Sequence, residues 1–263
     1  MRGRVLSVAG SDSGGGAGIQ ADIKTVTALG GYAMTAVTAL TAQDTNGVHA
    51  VLPVPADFIA LQMRLSLADI GADVVKSGML GDAAAIDAVC GVLEAQSTRL
   101  PLVVDPVMVA KGGASLIAAE AVDHLRHRLL PLALLLTPNL PEAEALTGRE
   151  IATEAQMHAA IEALLRLGAP AVLLKGGHLP GGEVVDLLAT ASETLVFRAP
   201  RIDSRHTHGT GCTLASAVAT GLAQGLALPD AVTRARDYVR AAIATAPGFG
   251  AGHGPLNHAA LLS

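Results

Sequence analysis

Short Val- and Leu-rich runs alternate with longer amphipathic segments along most of the chain, and this alternation constrains the fold more than any other feature. Apolar runs of strand length followed by segments of helical periodicity are typical of βαβ units, in which successive strands lie parallel. Nine strands and eight helices are predicted, including a first strand over residues 4–9 and a helix over residues 118–130. We therefore expect an α/β fold with a mostly parallel central sheet and helices on both faces.

No linker, charge block or internal repeat divides the 263 residues, so a single domain over residues 1–263 is predicted. Hydrophobic residues make up 51% of the chain, aromatic residues make up 2%, and Trp is absent. This composition suits Ala-rich helices packed closely on a buried sheet. It argues against nucleic-acid binding, which uses basic patches and stacking rings, and the net charge of −5 argues against a polyanion partner.

The apolar runs and the cysteines indicate the cellular compartment of the protein. No run is long enough to span a membrane, because the longest, residues 129–136, is interrupted by Pro131. The two cysteines, Cys90 and Cys212, lack the spacing of a zinc site. We expect a cytoplasmic protein with free thiols, in which Cys90 is a small core residue.

Polar and glycine motifs follow most of the predicted strands. Because the carboxyl ends of parallel strands meet at one edge of a sheet, these motifs are expected to form a common ligand site. They are residues 10–18, Gln43, Gly78, Asp105, Asn139, residues 175–178 and residues 209–212.

The segment His-Gly-Thr-Gly-Cys-Thr at residues 208–213 precedes a long Ala-rich helix predicted to begin at Thr210. Gly209 and Gly211 let the backbone turn tightly against a ligand, and the first N–H groups of a helix have no partner within it. With the positive end of the helix dipole, they predict an anion site, most often for phosphate. Cys212 in this site is expected to have a lowered pKa and thiolate character. The alternative is a Gly-rich helix start with a buried cysteine.

A second glycine-rich segment, AGSDSGGGAG at residues 9–18, follows the first strand. It is either a flexible turn or a loop that closely approaches a flat ligand, with Asp22 one turn into the next helix. Residues 16–21 also form a weak G-x-G-x-x-A dinucleotide fingerprint, with Asp44 near the position of a ribose-binding acid. The glycines begin late after the strand, which counts against that fingerprint. A P-loop motif is absent from the sequence.

Acidic and basic side chains are predicted at three further strand ends. Asp105 ends one strand, while Asn139 and Glu142 begin a short helix, where either alone could also be an N-cap. Together the carboxylates suit Mg²⁺. This ion keeps most of its waters and needs only one or two carboxylates beside nucleotide phosphates. Lys175 ends a buried strand, where an unpaired ammonium would be costly and a phosphate would be its partner. His178 is explained equally well by a surface role.

Two side chains indicate how a heterocyclic ligand would be held. Gln43 ends the second long strand, and its amide could hydrogen-bond the edge of a ring through its paired donor and acceptor. Met79 would be a soft apolar contact, although a lone methionine is more often a core residue.

These motifs together resemble the hydroxymethylpyrimidine/phosphomethylpyrimidine kinases of thiamine biosynthesis, within the ribokinase-like superfamily. The resemblance runs from about residue 5 to residue 258 and rests on AGSDSGGGAGIQAD, TALTAQDTNGV, KSGMLGD, DPVMVAKGG, TPNLPEA, KGGH and HGTGCTLASA. It implies a ribokinase-like three-layer α/β/α fold, ATP with Mg²⁺, a homodimer, and two successive phosphorylations of one aminopyrimidine. The first acts on the hydroxymethyl group and the second on the phosphate just made.

The resemblance also implies a role for each site residue. Cys212 stands where most ribokinase relatives have a catalytic Asp, and Gly209, Thr210 and Gly211 before it form the anion hole. The implied pyrimidine contacts are Gln43, Gly10, Ala17, Asp22, Met79 and Val107, the Mg²⁺ side is Asp105 and Glu142, and the nucleotide contacts are Lys175, Asn139 and Thr207. The chain departs from the family pattern at Asp44, which adds charge near the pocket, and at His206, close to the anion hole, where Asn is common in both cases.

Three alternatives stay open from the sequence alone. A pyridoxal/pyridoxine kinase would act on a ring that also has a hydroxymethyl group and a hydrogen-bonding edge. A nicotinamide-dependent oxidoreductase would use the fingerprint at residues 16–21, but it leaves Lys175 and the turn before Cys212 unexplained. A non-catalytic sensor of pyrimidine intermediates would not need Asp105, Glu142 and Cys212 together.

Overall fold

The computed structural model describes residues 2–108 and 119–261, and over these residues the predicted alternation of strands and helices is confirmed. The main difference is the first strand, which continues beyond residue 9 to Asp12 and takes up part of the predicted glycine-rich loop. The strands in the described residues are β1 (Arg4–Asp12), β2 (Tyr32–Gln43), β3 (Val48–Pro53), β4 (Val74–Ser77), β5 (Leu102–Val104), β6 (Leu135–Leu136), β7 (Ala171–Lys175), β8 (Glu183–Thr190) and β9 (Thr194–Pro200).

The α-helices in the described residues are α1 (Gly18–Ala28), α2 (Ala56–Asp69), α3 (Ala83–Glu94), α4 (Ala119–His124), α5 (Leu140–Thr147), α6 (Glu154–Leu165), α7 (Thr210–Ala223) and α8 (Leu228–Ala244). After α4 the chain forms a π-helical turn and a 3₁₀ turn, where Pro131 provides no N–H for an α-helical bond. The predicted helix start at residue 118 and residues 109–113 of the DPVMVAKGG motif lie outside the described residues. Within the described chain, no helix has both the length and the apolar character needed to cross a membrane.

The strands form one sheet in the order β3-β2-β1-β4-β5-β6-β7-β8-β9. The six strands from β2 to β7 in this order run parallel, whereas β3 pairs antiparallel with β2, and β8 pairs antiparallel with β7 and β9. The prediction of a mostly parallel sheet is therefore confirmed. The carboxyl ends of the six parallel strands meet at one edge, which we call the carboxyl rim.

Side chains on the two faces of the sheet pack into separate cores because successive residues of a strand point to opposite faces. Leu6 and Val8 of β1 belong to the core that contains Ile59 of α2 and Ile86 of α3. Val5 belongs to the opposite core, which α1, α7 and α8 cover. Full burial of each large aliphatic side chain contributes about 1.5–3 kcal/mol. The sheet thus lies between two helical layers, as a three-layer α/β/α fold.

Helix α7 is buried along most of its length, which fixes its N-terminus at the carboxyl rim. All residues from Thr213 to Gly221 are buried, and α7 contacts β4 and β5 as well as α8. A Cβ at Gly221 would lie 2.8 Å from the Cβ of Ala231, so glycine allows α8 to approach this closely. The small residues of α7 therefore let it fit between the sheet and α8.

Candidate active site

A cavity of about 820 Å³ opens at the carboxyl rim. Every predicted site residue lines it except Asp22, which is fully buried. The lining residues from that set are Gly10, Ala17, Gln43, Met79, Asp105, Val107, Asn139, Glu142, Lys175, Thr207, Gly209, Thr210, Gly211 and Cys212. The fold thus brings together the ends of strands that are far apart in the sequence.

The turn before α7 is built by a close approach between two loops. Gly209 immediately precedes the helix with a φ of 81°, and a Cβ there would overlap the carbonyl oxygen of Gly16. Only glycine accommodates both the left-handed backbone and this contact. The hydroxyl of Thr210 donates to the carbonyl oxygen of Thr207 (2.7 Å), which closes the turn.

The first turn of α7 faces the charged part of the cavity. Gly211 and Cys212 occupy the second and third helical positions, so their backbone N–H groups have no intrahelical acceptor. A Cβ at Gly211 would lie 3.3 Å from Nζ of Lys175 and 3.6 Å from Oδ2 of Asp105. Free N–H groups, the helix dipole and an ammonium therefore converge on one small volume, which is suited to a phosphoryl group.

The expectation of a lowered pKa for Cys212 is wrong. Burial raises the pKa of its thiol to about 11; the ammonium of Lys76 opposes the rise, and the carboxylates of Asp105 and Asp22 add to it. A thiolate here would lose most of its hydration, and this cost exceeds the benefit of the nearby cation. The sequence revealed the helix terminus but not the desolvation and the two carboxylates that surround this half-buried thiol.

Lys175 projects from the end of β7 into this charged region. Its Nζ lies 3.0 Å from Oδ1 of Asp105 and 4.0 Å from Oε2 of Glu142. Burial alone would lower the pKa of Lys175, but the charges of Asp105 and Glu142 outweigh burial and raise it. The side chain therefore remains a cation, with a carboxylate as its partner in the protein.

Asn139 and Glu142 form a reciprocal cap at the start of α5. Oδ1 of Asn139 accepts from the N–H of Glu142 (2.9 Å), and Oε2 of Glu142 accepts from the N–H of Asn139 (2.8 Å). The N-cap alternative is thus confirmed for residues that also line the cavity. Burial, reinforced by the charge of Asp105, raises the pKa of Glu142 to about 7, although Lys175 opposes the rise.

Two carboxyl groups at the edge of the anion site are the candidate ligands for a divalent cation. The described residues contain no cluster of three or more His, Cys, Asp or Glu side chains that could hold a metal ion. Asp105 and Glu142 provide two carboxylates beside the anion site. Mg²⁺ is typically bound by one or two carboxylates together with waters and phosphates, which matches this arrangement.

Asp22 lies beneath the cavity, and its predicted contact with a ligand is corrected to a buried ion pair. Both of its oxygens lie 3.0 Å from Nζ of Lys76, and neither side chain has any exposed surface. The hydroxyls of Ser216 (2.6 Å) and Ser7 (2.5 Å) also donate to Asp22. Ser216 follows Cys212 by one helical turn on α7, so this pair supports the helix that carries the thiol. In the sequence, the buried ion pair is indicated only by the presence of Lys76 in an otherwise apolar strand.

The first glycine-rich loop wraps around the carboxylate of Asp12, which lies within the predicted motif but was not predicted as a site residue. Asp12 accepts from the N–H groups of Gly14 (2.8 Å), Gly16 (3.0 Å) and Ala17 (2.8 Å). Nε2 of His208 lies 2.8 Å from Oδ2 of Asp12. Burial alone would raise the pKa of Asp12, but these hydrogen bonds lower it. Asp12 therefore joins this loop to the turn before α7.

Outside the charged part that faces α7, the cavity wall is largely apolar and contains one amide, that of Gln43. A Cβ at Gly10 would lie 3.2 Å from Sδ of Met79, so glycine leaves room there. Val107 and Ala17 also line this part, and Gln43 reaches it from the end of β2. An apolar wall with one donor–acceptor group suits a small heterocycle.

Residues 12–257 match the protein family described as Phosphomethylpyrimidine kinase. The chain belongs to this family. It is 56% identical over 257 residues to the thiamine biosynthesis bifunctional protein ThiED of Geobacter sulfurreducens, covering 98% of this chain and 52% of that protein. It is also 50% identical over 254 residues to the hydroxymethylpyrimidine/phosphomethylpyrimidine kinase of Streptomyces coelicolor, covering 97% and 93% of the two chains.

The chain thus spans about half the length of ThiED and nearly the whole of the Streptomyces kinase. Among solved structures, an ADP complex of Bacillus subtilis pyridoxal kinase superimposes with a TM-score of 0.91 and 36% identity, covering 100% of this chain and 99% of that chain. The ribokinase-like fold is confirmed, and membership of a kinase family decides against the nicotinamide alternative.

Several further residues of this phosphomethylpyrimidine kinase family member shape the cavity beyond Lys175. Oδ2 of Asp186 accepts from Arg236 (2.6 Å), and Oδ1 accepts from the N–H of Gly176 (2.9 Å). Arg201 donates to three carbonyl groups of residues 177–181, which fixes the loop after β7. Asp186, Arg201 and Arg236 lie outside the recognised motifs, in stretches without a distinctive spacing, so the sequence did not predict them.

The two departures from the family pattern lie away from the cavity wall. Asp44 is exposed in a turn, where hydrogen bonds from the N–H of Asn46 and from His49 lower its pKa to about 2. His206 packs against Gly254, where a Cβ would overlap its ring. Neither side chain lines the cavity, whereas His178 does.

Proposed function

We propose that this chain transfers phosphoryl groups from ATP to 4-amino-5-hydroxymethyl-2-methylpyrimidine and then to its monophosphate, which gives the diphosphate for thiamine biosynthesis. The supporting observation is a single cavity in which an anion-binding helix terminus, a lysine and two carboxylates adjoin an apolar wall with one amide. The kinase relatives support the same reaction. A single domain is part of the proposal, because one sheet contains strands from β1 to β9.

In phosphoryl transfer the protein contributes mainly the positioning of the reactants and the stabilisation of charge. The N–H groups of Gly211 and Cys212 and the ammonium of Lys175 would face the moving phosphoryl group, since they converge on one volume. Loss of one such donor typically costs about 10²–10³-fold in rate. Mg²⁺ held by Asp105 and Glu142 would neutralise charge on the phosphates.

We assign to Cys212 the acceptance of the hydroxyl proton in the first step. Because burial raises the pKa of this thiol to about 11, only a small fraction is thiolate at neutral pH. The first step should therefore accelerate as the pH rises. The second step uses a phosphate oxygen that is already ionised at neutral pH, so it does not need this base.

The nucleotide would occupy the end of the cavity beyond Lys175, with Asn139 and Thr207 at its border. The pyrimidine would lie against Met79 and Val107, with its ring edge on Gln43 and its hydroxymethyl group directed to the first turn of α7. This arrangement places the acceptor oxygen near the anion site, which is the geometry that an in-line transfer requires.

A pyridoxal kinase activity is the second candidate function. The Bacillus subtilis pyridoxal kinase covers the whole chain with the same fold, and its complex contains ADP. A pyridoxal ring also has a hydroxymethyl group and a hydrogen-bonding edge, so it would fit the same cavity wall. ATP as phosphoryl donor is common to both candidates.

A homodimer and a cytoplasmic location are also proposed. Exposed apolar side chains lie along the β2–β3 edge, where Leu40 pairs with Leu52. Phe58, Leu61 and Leu65 form an exposed apolar face of the neighbouring helix α2. A second copy would cover these side chains, and equilibrium sedimentation measures whether it does. Both cysteines are free, in keeping with a reducing compartment.

The test is ADP release with Mg²⁺-ATP and the hydroxymethylpyrimidine, with pyridoxal in a parallel reaction. We expect release with the pyrimidine and a loss of at least about tenfold in Gly211→Ala, because its Cβ, 3.3 Å from Nζ of Lys175 and 3.6 Å from Oδ2 of Asp105, would occupy the volume proposed for the phosphoryl group. The matched control is Gly91→Ala, where a Cβ meets nothing within 4 Å. Release with pyridoxal alone would favour the second candidate, and no release with either would contradict a kinase.

A further inference from the structure

Four side chains form a polar chain between the first glycine-rich loop and the pyrimidine end of the cavity: Asp12, His208, Gln43 and Thr41. Nε2 of His208 lies 2.8 Å from Oδ2 of Asp12 and 3.3 Å from one end of the Gln43 amide. The other end of that amide lies 3.1 Å from Oγ1 of Thr41. Asp12 and His208 are buried, so these groups depend on each other for hydrogen bonds.

The first link in this chain fixes the hydrogen on His208. The carboxylate of Asp12 can only accept, and its pKa is lowered, so Nε2 of His208 must carry the hydrogen that it donates. This holds for the neutral ring and for the protonated ring. Nε2 then has no lone pair left to accept an N–H from Gln43. The amide end that faces His208 must therefore be the oxygen.

The opposite end of the amide leads independently to the same orientation. Oγ1 of Thr41 lies 3.0 Å from the carbonyl oxygen of Ser11, which can only accept. A hydroxyl has one hydrogen, and once it is donated to Ser11 only lone pairs remain for Gln43. The amide end that faces Thr41 is therefore the NH₂ group. In this orientation the amide oxygen of Gln43 faces the one N–H of Nε2, which points mainly to Asp12, and the NH₂ group donates to Thr41. The reverse orientation sets an amide N–H against the N–H of His208 and the amide oxygen against the lone pairs of Thr41.

We propose that His208 is a positioning residue that fixes the amide orientation of Gln43 and thereby selects the hydrogen-bonding pattern of the ring edge that the enzyme accepts. This inference rests on the proposed function for the identity of the ring. With the hydroxymethyl group directed to α7, the fixed amide pairs with an amino group beside an unprotonated ring nitrogen. The 4-oxo counterpart presents a carbonyl beside a ring N–H, which would require the amide to turn against His208 and Thr41.

The kinetic test compares kcat/KM for the 4-amino substrate and its 4-oxo counterpart. His208→Leu removes the donor, so the preference for the amino compound should fall by at least about tenfold. His208→Gln restores an N–H near the position of Nε2, and the preference should return toward the wild-type value. A purely structural role would lower kcat/KM for both compounds in proportion, and an unchanged preference in His208→Leu overturns the proposal.

Neutron diffraction from the deuterated protein without substrate tests the orientation independently of activity. We expect the carbonyl oxygen of Gln43 toward His208 and its ND₂ group toward Thr41. An ND₂ group facing His208 overturns the proposal, whatever the substrate. Absence of turnover with the amino compound would contradict the proposed function instead, and the neutron map would still decide the orientation.

Discussion

Replacing Lys76 by Met would remove one partner of the ion pair beneath Cys212 and leave the carboxylate of Asp22 buried. Neither side chain of the pair is exposed, and Nζ lies 3.0 Å from both carboxylate oxygens. Breaking such a pair typically costs about 3–5 kcal/mol because the remaining charge has no compensation. Ser7 and Ser216 still donate to Asp22, so we expect a loss of about 3 kcal/mol, at the lower end of that range.

Urea unfolding followed by far-ultraviolet circular dichroism at pH 7 measures this loss. The double variant Lys76→Met/Asp22→Asn removes both charges, and it should be more stable than the two single losses added together, by about 1–3 kcal/mol. Glu162→Gln is the control, because its partner Arg166 and Glu162 itself are exposed. Such surface pairs are worth at most about 1 kcal/mol.

A loss below about 1 kcal/mol in Lys76→Met, or strict additivity in the double variant, would contradict a buried ion pair whose two charges depend on each other. Kinetics separates the structural role of Asp22 from the ligand contact that the sequence predicted. If Asp22 contacted the pyrimidine, Asp22→Asn would raise KM for it with little loss of stability. We expect a loss of stability with little change in KM.

Three further predictions concern groups with shifted pKa values. The rate of the first phosphorylation should rise from pH 7 to 9, whereas the rate of the second should not. Cys212→Ala should abolish this pH dependence of the first step. A pH-independent first step in the wild type would exclude the thiolate as base. Iodoacetamide at pH 8 should modify Cys212 slowly and Cys90 more slowly, since burial raises their pKa values to about 11 and about 12. Rapid modification of Cys212, read by peptide mass, would contradict the raised pKa of its thiol. Burial lowers the pKa of His258 to about 4, below the unfolded value of about 6.5, so stability should fall by up to about 3 kcal/mol as the pH falls between these values. His258→Gln should flatten this dependence of the urea midpoint and the exposed control His49→Gln should not, and an unchanged slope in His258→Gln would count against the assignment.

The alternation of strand-like and helix-like segments was enough to predict the fold, because buried side chains recur with one period along a strand and with another along a helix. The predicted end of a buried strand at Lys175 is confirmed as the end of β7, because a run of aliphatic residues followed by two glycines is typical of a buried strand and its last residue. Strand β6 contains only Leu135 and Leu136, and its length is set by its pairing with the neighbouring strands β5 and β7. The end of β1 at Asp12 likewise depends on its pairing with β2.

The motifs located the cavity but did not determine how deep each side chain lies. Asp22 shared a motif with cavity-lining residues, yet its position on the inner face of α1 directs it to Lys76. The raised pKa of Cys212 reflects burial by several elements, which local sequence does not contain. Asp12 lies within a glycine-rich segment, and its role follows only from the N–H groups that surround its carboxylate in the structure.

Phosphorus-31 NMR of the product formed from the hydroxymethylpyrimidine with excess Mg²⁺-ATP follows both proposed phosphoryl transfers in one experiment. We predict that a monophosphate resonance appears first and is then replaced by the two coupled resonances of a diphosphate ester. Both steps should occur in one reaction with the purified chain. A monophosphate that persists would contradict the second transfer, and no new phosphate ester at all would contradict the proposed activity.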